Sequence, residues 1–207
     1  MTPLLLIRHG ATEWNASGRL QGRADIGLSA AGRAEVAGWR LPAGFADARW
    51  RTSPLRRARE TAALLTEGPV AVEPRLIEMD WGAWEGLRAA ELDAQELAAN
   101  EALGLDFRPP GGESPREVAA RIRALAAELA AARWTGPTTG DRSWVPSETP
   151  VVAVCHKGVI RAALALATGW DMRTRPPLRL ARDQALLLIG HPGGRLELGP
   201  SPLHLAA

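Results

Sequence analysis

In 207 residues the chain has one cysteine, Cys155, and one lysine, Lys157. A single cysteine excludes an intramolecular disulfide framework and gives no support to a thiolate metal site. The other basic side chains are arginines, spread along the chain rather than gathered in runs, so no nucleic-acid footprint is visible. Most of them read as compositional bias, and the formal net charge is only +2. No apolar stretch approaches the ~20 residues of a membrane-spanning helix. The apolar residues 4–7 are far shorter than the core of a signal peptide and follow no basic leader. No histidine, cysteine or carboxylate grouping has zinc-ligand spacing. These absences lead to the expectation of a soluble, cytoplasmic protein without metal or cofactor, nucleic-acid partner or membrane partner. Self-association as a homodimer is left open.

What is present suits one α/β domain over residues 1–207, with three layers and a mostly parallel central sheet between helices. The hydrophobic fraction, 46%, is ordinary for a globular core. Residues 3–8 form an apolar run of strand length, and residues 151–154 form another. Short strands are expected at 48–52 and 70–73, with a closing hairpin from 185–189 and 195–198 around His191-Pro192-Gly193-Gly194. Ser29 is placed to cap a helix reaching about Arg40. Ser53-Pro54 reads as a cap and first-turn proline opening a helix to about Thr66. Residues 88–103 read as one helix. Ser114-Pro115-Arg116-Glu117 spells a capping box at the start of a long helix to about Arg133. Residues 158–167 read as a further helix, and 135–149 as an aperiodic loop.

Chemistry concentrates where two of these strands end. Arg8-His9-Gly10 follows the first, and His156-Lys157-Gly158 follows the second. The carboxyl edge of such a sheet is where α/β folds bind ligands. Neighbouring parallel strands would bring both imidazoles to that edge. Cys155 adjoins His156, but adjacent strand residues face opposite ways, so it reads as buried packing. The polar, glycine-spotted stretch 10–27 is longer than a simple connection and reads as functional.

These segments resemble the histidine phosphatase superfamily, also called the phosphoglycerate mutase-like family. Residues 6–15, Leu-Ile-Arg-His-Gly-Ala-Thr-Glu-Trp-Asn, resemble its signature. Gly18-Arg19-Leu20-Gln21-Gly22, Ser53-Pro54-Leu55-Arg56-Arg57, Glu78-Met79-Asp80-Trp81 and His156-Lys157-Gly158 follow in the family's order. The resemblance implies that His9 is a nucleophile forming a phosphohistidine. It implies that Arg8, Arg57 and His156 surround the phosphoryl oxygens, and that Glu78 protonates the leaving group. Thr12 and Asn15 would add hydrogen bonds, with Gln21 and Gly22 nearby. Arg57 rather than its neighbour Arg56 matches the family position, and side chains one residue apart on a helix diverge by ~100°. Glu85 is a rival acid that the family pattern leaves in a structural role. A Glu78 set beside Trp81 and Trp84 is expected to have a pKa raised by desolvation.

The resemblance implies hydrolysis of a small-molecule phosphate ester. Met79-Asp80-Trp81 stands where phosphoglycerate mutases carry Arg and Tyr after the glutamate, and residues 84–86 and 109–114 look more like α-ribazole phosphatases and broad-specificity phosphatases. A cofactor-dependent phosphoglycerate mutase and a non-catalytic phospholigand-binding protein stay as alternatives. Lys157 departs from the small residue many relatives carry. It is either a binder of a second anionic group on the substrate or a strand-end lysine reaching water. Specificity is expected from the segment 88–110 and the loop 135–149.

Overall fold

Residues 1–131 and 149–205 are described by the computed structural model. The first apolar run forms β1 (Thr2–Arg8). Its side chains alternate, Leu4 and Leu6 entering one buried cluster and Leu5 and Ile7 the other. A strand covered on both faces needs an apolar residue at nearly every position, which explains the unbroken run. The second apolar run, β4 (Val151–Cys155), is built the same way, and all five residues are buried.

β1 and β4 pair in parallel, with Leu4 opposite Val151 and Arg8 opposite Cys155. β2 (Arg49–Thr52) and β3 (Val70–Val72) extend the parallel half in the order β3-β2-β4-β1. On the other side of β1 the sheet turns antiparallel, with β5 (Gln184–Gly190) beside β1, and β6 (Leu196–Leu198) and β7 (Leu203–His204) each paired with β5. The parallel sheet expected from the alternation of strands and helices is therefore present, with an antiparallel margin supplied by the closing hairpin.

A four-residue helix α1 (Glu13–Ala16) follows β1. Helices α2 (Ala30–Ala37) and α3 (Arg56–Leu65) cover one face, setting Val36, Ala58 and Ala62 against Leu5, Ile7, Val152 and Val154. On the other face, Val118, Ile122 and Leu125 of a long helix, and Val159 and Ala163 of another, pack on Leu4, Leu6 and Ala153. The three expected layers follow from these two buried clusters.

Two helix boundaries differ from the sequence reading, each for a local reason. α3 begins at Arg56 rather than at Pro54, and its cap residue Leu55 has no side chain able to cap. The Arg56 amide instead donates to Asp25 Oδ1, at 2.5 Å, from the loop after α1. That leaves the Ser53 hydroxyl for another partner. The single helix expected over 88–103 is a 3-10 turn at Ala89–Glu91 followed by α4 (Ala94–Glu101). Asp93 causes the break, because its carboxylate accepts from the amides of Gln95 and Glu96 and starts a new helix.

Other start signals hold. Ser29 Oγ accepts from the Gly32 amide at 3.0 Å, and the helix it caps ends at Gly38 rather than Arg40. Ser114 and Glu117 form the capping box of α5 (Pro115–Ala131), the Ser114 amide donating to Glu117 Oε2 at 2.8 Å. The last helix, α6 (Lys157–Thr168), starts directly after His156. The expected tail of α5 beyond Ala131 and the loop 135–149, apart from Thr149, lie outside the described residues.

α2 presses on the backbone just beyond His9. A Cβ on Gly32 would lie 2.1 Å from the Ala11 carbonyl oxygen, so only glycine permits this approach. Gly32→Ala is therefore expected to lower stability by about 1–3 kcal/mol, the range for overpacking. Urea unfolding of the two proteins checks this, and an unchanged midpoint contradicts it.

Candidate active site

The β1–β4 register carries on past the strand ends, bringing His9 and His156 together with ring centroids 5.1 Å apart. Both rings are buried. His9 Nδ1–H donates to the Gly10 carbonyl at 2.7 Å, which leaves the Nε2 lone pair as the free end of the ring. Burial, above all, and then the cations Arg57 and Arg8 push the His9 pKa well below 6.5. The ring is neutral at neutral pH, as a nucleophile must be.

His156 shows the same depression, from burial first and then from His9, Arg57, Arg121 and Arg8. Its Nε2 lies 2.7 Å from Ser53 Oγ. The Ser53 oxygen accepts from the Leu55 amide at 3.3 Å, and its hydrogen is satisfied by donating to Nε2. That arrangement leaves the His156 proton on Nδ1, a buried donor with no partner among the described residues.

Arg57 is fully buried on α3, while its neighbour Arg56 is exposed and paired with Glu60 at 2.7 Å. The divergence expected of adjacent helical side chains is thus realised. Arg57 is held by two backbone carbonyls, Gly22 and Ala24, each at 2.8 Å. The loop bearing those carbonyls is held in turn by Glu85, whose Oε2 accepts from the amides of Arg23 and Ala24. Glu85 therefore positions Arg57, and the structural role left to it by the family pattern has a physical basis. Arg8, at the end of β1, has a buried Nε with no hydrogen-bond partner among the described residues. Its charge is disfavoured mainly by burial, then by Arg182.

Glu78 is buried opposite these cations. Its Oε1 accepts from the Met79 amide at 2.9 Å and its Oε2 from the Gly158 amide at 3.1 Å. Burial raises its pKa, while those two amides, Arg57 and Arg121 pull it back. A Cβ on Gly158 would lie 2.3 Å from Glu78 Oε1, so any larger residue there would displace the carboxylate from its present position.

A cavity of about 480 Å³ joins these groups. Arg8, His9, Asn15, Gln21, Glu78 and Lys157 line it. Arg57 and His156 do not line the cavity: His156 packs against the His9 ring, and Arg57 is held by the Gly22 carbonyl. Thr12 does not reach the cavity. It caps α1, accepting from the Asn15 amide at 3.2 Å, while its own amide donates to Asn15 Oδ1 at 3.1 Å. Thr12 thereby orients Asn15, which lines the cavity. The remaining wall is apolar, including Leu20, Met79, Trp81, Phe107 and Met172. Such a site can hold a phosphoryl group against buried donors and offer an acid on the far side.

Residues 4–198 match the histidine phosphatase superfamily (branch 1). The chain belongs to the histidine phosphatase superfamily. It is 41% identical to a glucosyl-3-phosphoglycerate phosphatase of Mycobacterium tuberculosis over 94% of this chain and 89% of that protein. A protein of the same name from Mycolicibacterium vanbaalenii is 37% identical over 91% of this chain and 84% of its own length. A probable phosphoglycerate mutase of Proteus mirabilis is 37% identical over only 60% of this chain and 61% of its own. Among solved structures, the mycobacterial glucosyl-3-phosphoglycerate phosphatase complexed with VO3 has a TM-score of 0.74 and 33% identity, covering 100% of both chains.

The site of this histidine phosphatase also contains residues to which the sequence alone assigns no role. In sequence Ser53 has the place of a helix cap, and its pairing with His156 joins positions 103 residues apart, beyond any local signal. Arg19, Glu101, Arg161 and Arg173 line the cavity without a spacing that announces it. Of the expected specificity segment 88–110, Glu101, Gly104 and Phe107 reach the cavity. His191 and His204 lie far along the chain in the hairpin and β7, His191 paired with Glu197 at 3.1 Å. Ring-nitrogen NMR shifts of His9 and His156 are expected to stay those of neutral imidazole from about pH 8 to about pH 6, where an unperturbed histidine protonates. A midpoint near 6.5 for either ring contradicts the burial argument.

Proposed function

We propose that this phosphatase acts on a phosphorylated carboxylic acid of the glucosyl-3-phosphoglycerate kind, with His9 as nucleophile and Glu78 as acid. The phosphatase activity itself goes with the family and with relatives that match nearly the whole chain. The observation that carries the assignment of roles is the His9 hydrogen bond to Gly10, which turns a neutral Nε2 toward a cavity also lined by Glu78.

His9 Nε2 attacks phosphorus, the P–N bond forms and the bond to the leaving oxygen breaks. Protonated Glu78 gives its proton to that oxygen, and the alcohol departs. Nδ1–H stays on the Gly10 carbonyl throughout and stabilises the positive charge that develops on the ring. Glu78, now a carboxylate, takes a proton from water as the water attacks phosphorus. The P–N bond breaks, and phosphate leaves with both residues restored. Arg8 on the cavity wall serves the equatorial oxygens, where the transition-state charge lies, and Arg57 and His156, buried beside His9, act on that charge through their field. Asn15 and Gln21 border the same oxygens. Lys157 belongs to the leaving-group side.

Hydrolysis is preferred to mutase activity on two grounds. The relatives named as phosphatases align over 84% or more of both chains, whereas those named as mutases align over about three fifths. The Met79-Asp80-Trp81 sequence also lacks the Arg and Tyr expected after the glutamate of a mutase.

Assays on glucosyl-3-phosphoglycerate and on p-nitrophenyl phosphate test the reading. The wild-type protein is expected to hydrolyse both, with no bisphosphate requirement. Glu78→Gln is expected to lose roughly 100- to 10,000-fold in kcat/KM on the sugar acid, whose alkoxide needs a proton. It is expected to lose far less on p-nitrophenyl phosphate, whose leaving group departs as an anion. Equal losses on both substrates contradict the role given to Glu78, and no turnover of the sugar acid contradicts the substrate.

A further inference from the structure

The cavity carries more positive charge than one phosphoryl group calls for. Five cationic side chains line it, against two carboxylates, Glu78 and Glu101. Arg8 stands beside His9, and Arg19 is engaged with the Gly86 carbonyl at 2.6 Å. Of the three that remain, Lys157 and Arg161 stand on successive turns of α6, both on the cavity wall. Like charges four residues apart share a helix face and repel each other. Neither makes a hydrogen bond or an ion pair with a carboxylate among the described residues, although Arg161 lies in the field of Glu101.

The surroundings hold this pair in place rather than relieving it. The Arg161 guanidinium lies 5.1 Å from the centre of the Trp170 ring, a cation–π contact that fixes its direction. Lys157 faces further cations, Arg8, Arg161 and Arg179, with Glu78 the opposing charge. Arg173 joins the same wall from the segment after α6. A half-buried like-charge pair beside an apolar wall is unfavourable until an anion sits between its members, and Lys157 lies next to Gly158, whose amide holds Glu78. An anion bound there would belong to the part of the ester that Glu78 protonates.

We propose that Lys157 and Arg161 form a second anion subsite, which takes a carboxylate or phosphate carried by the leaving group next to the scissile ester. This inference rests on the reading of the cavity as a phosphomonoester site. It gives the sole lysine of the chain the first of its two sequence readings, a binder of a second anion.

The test is competition against p-nitrophenyl phosphate by three small esters. 3-Phosphoglycerate carries a carboxylate, 1,3-propanediol bisphosphate a second phosphate, and glycerol 3-phosphate neither. At least one of the first two is expected to bind tenfold or more tighter than glycerol 3-phosphate, the size of one charge-assisted contact. Which of them does so names the anion. The preference is expected to collapse toward one in Lys157→Gln and in Arg161→Gln, and to survive in Lys157→Arg. Equal binding of all three esters by the wild-type protein, or a preference unchanged in both glutamine variants, overturns the subsite. Calorimetric titration of the same esters into His9→Ala reads the ratio without turnover. Preferential binding there, in a wild-type protein that hydrolyses nothing, fails the hydrolytic reading and leaves the subsite standing.

Discussion

A 2.7 Å hydrogen bond from His9 Nδ1–H to the carbonyl of its own neighbour, Gly10, decides which ring nitrogen meets a substrate. Reversing that tautomer would turn a proton rather than a lone pair toward the cavity. The bond depends on the backbone beyond β1 staying where it is, pinned by α2 through the close approach of Gly32 to Ala11. It depends also on the parallel pairing of β1 with β4, which sets His156 against His9. Geometry at the sheet edge is thus translated into the protonation state of one imidazole.

The electrostatics reinforce the tautomer. Arg8, Arg57 and Glu78 are charged or chargeable groups taken out of water, and each is less comfortable in its charged form than it would be at the surface. For the histidines the same burial suppresses protonation. The result is a buried donor field with a neutral nucleophile at its centre and a carboxyl group inclined to hold its proton. Such an arrangement costs stability in the free protein and becomes favourable when a dianion enters, because fixed dipoles need no rearrangement as charge develops. Glu85 extends the design outward by fixing the loop whose carbonyls fix Arg57.

Much of this was legible in the sequence where one residue type could serve one purpose. Two unbroken apolar runs, each ending in a histidine, announced doubly covered strands and an edge site. Arg57 was separable from Arg56 by helical geometry alone. The capping box at Ser114 and Glu117 marked a helix start because both partners lie within four residues. What escaped the sequence were contacts made across it. Asp25 caps α3 from 31 residues away, so the helix starts at Arg56 and not at the proline that signals a start locally. Ser53 was free to hold His156 for the same reason. Asp93 breaks an alanine-rich stretch whose average propensity favours a continuous helix. Thr12, which the resemblance places at the phosphate, is hydrogen-bonded to Asn15, a partnership the family position does not announce.

The position of phosphorus in a trapped intermediate tests the central claim most directly. Rapid acid-free quenching during turnover, followed by peptide mapping and NMR of the labelled ring, locates the covalent bond by residue and by atom. The Gly10 hydrogen bond requires base-stable, acid-labile phosphate on Nε2 of His9. Phosphate on Nδ1, on His156, or on any oxygen nucleophile would contradict the account.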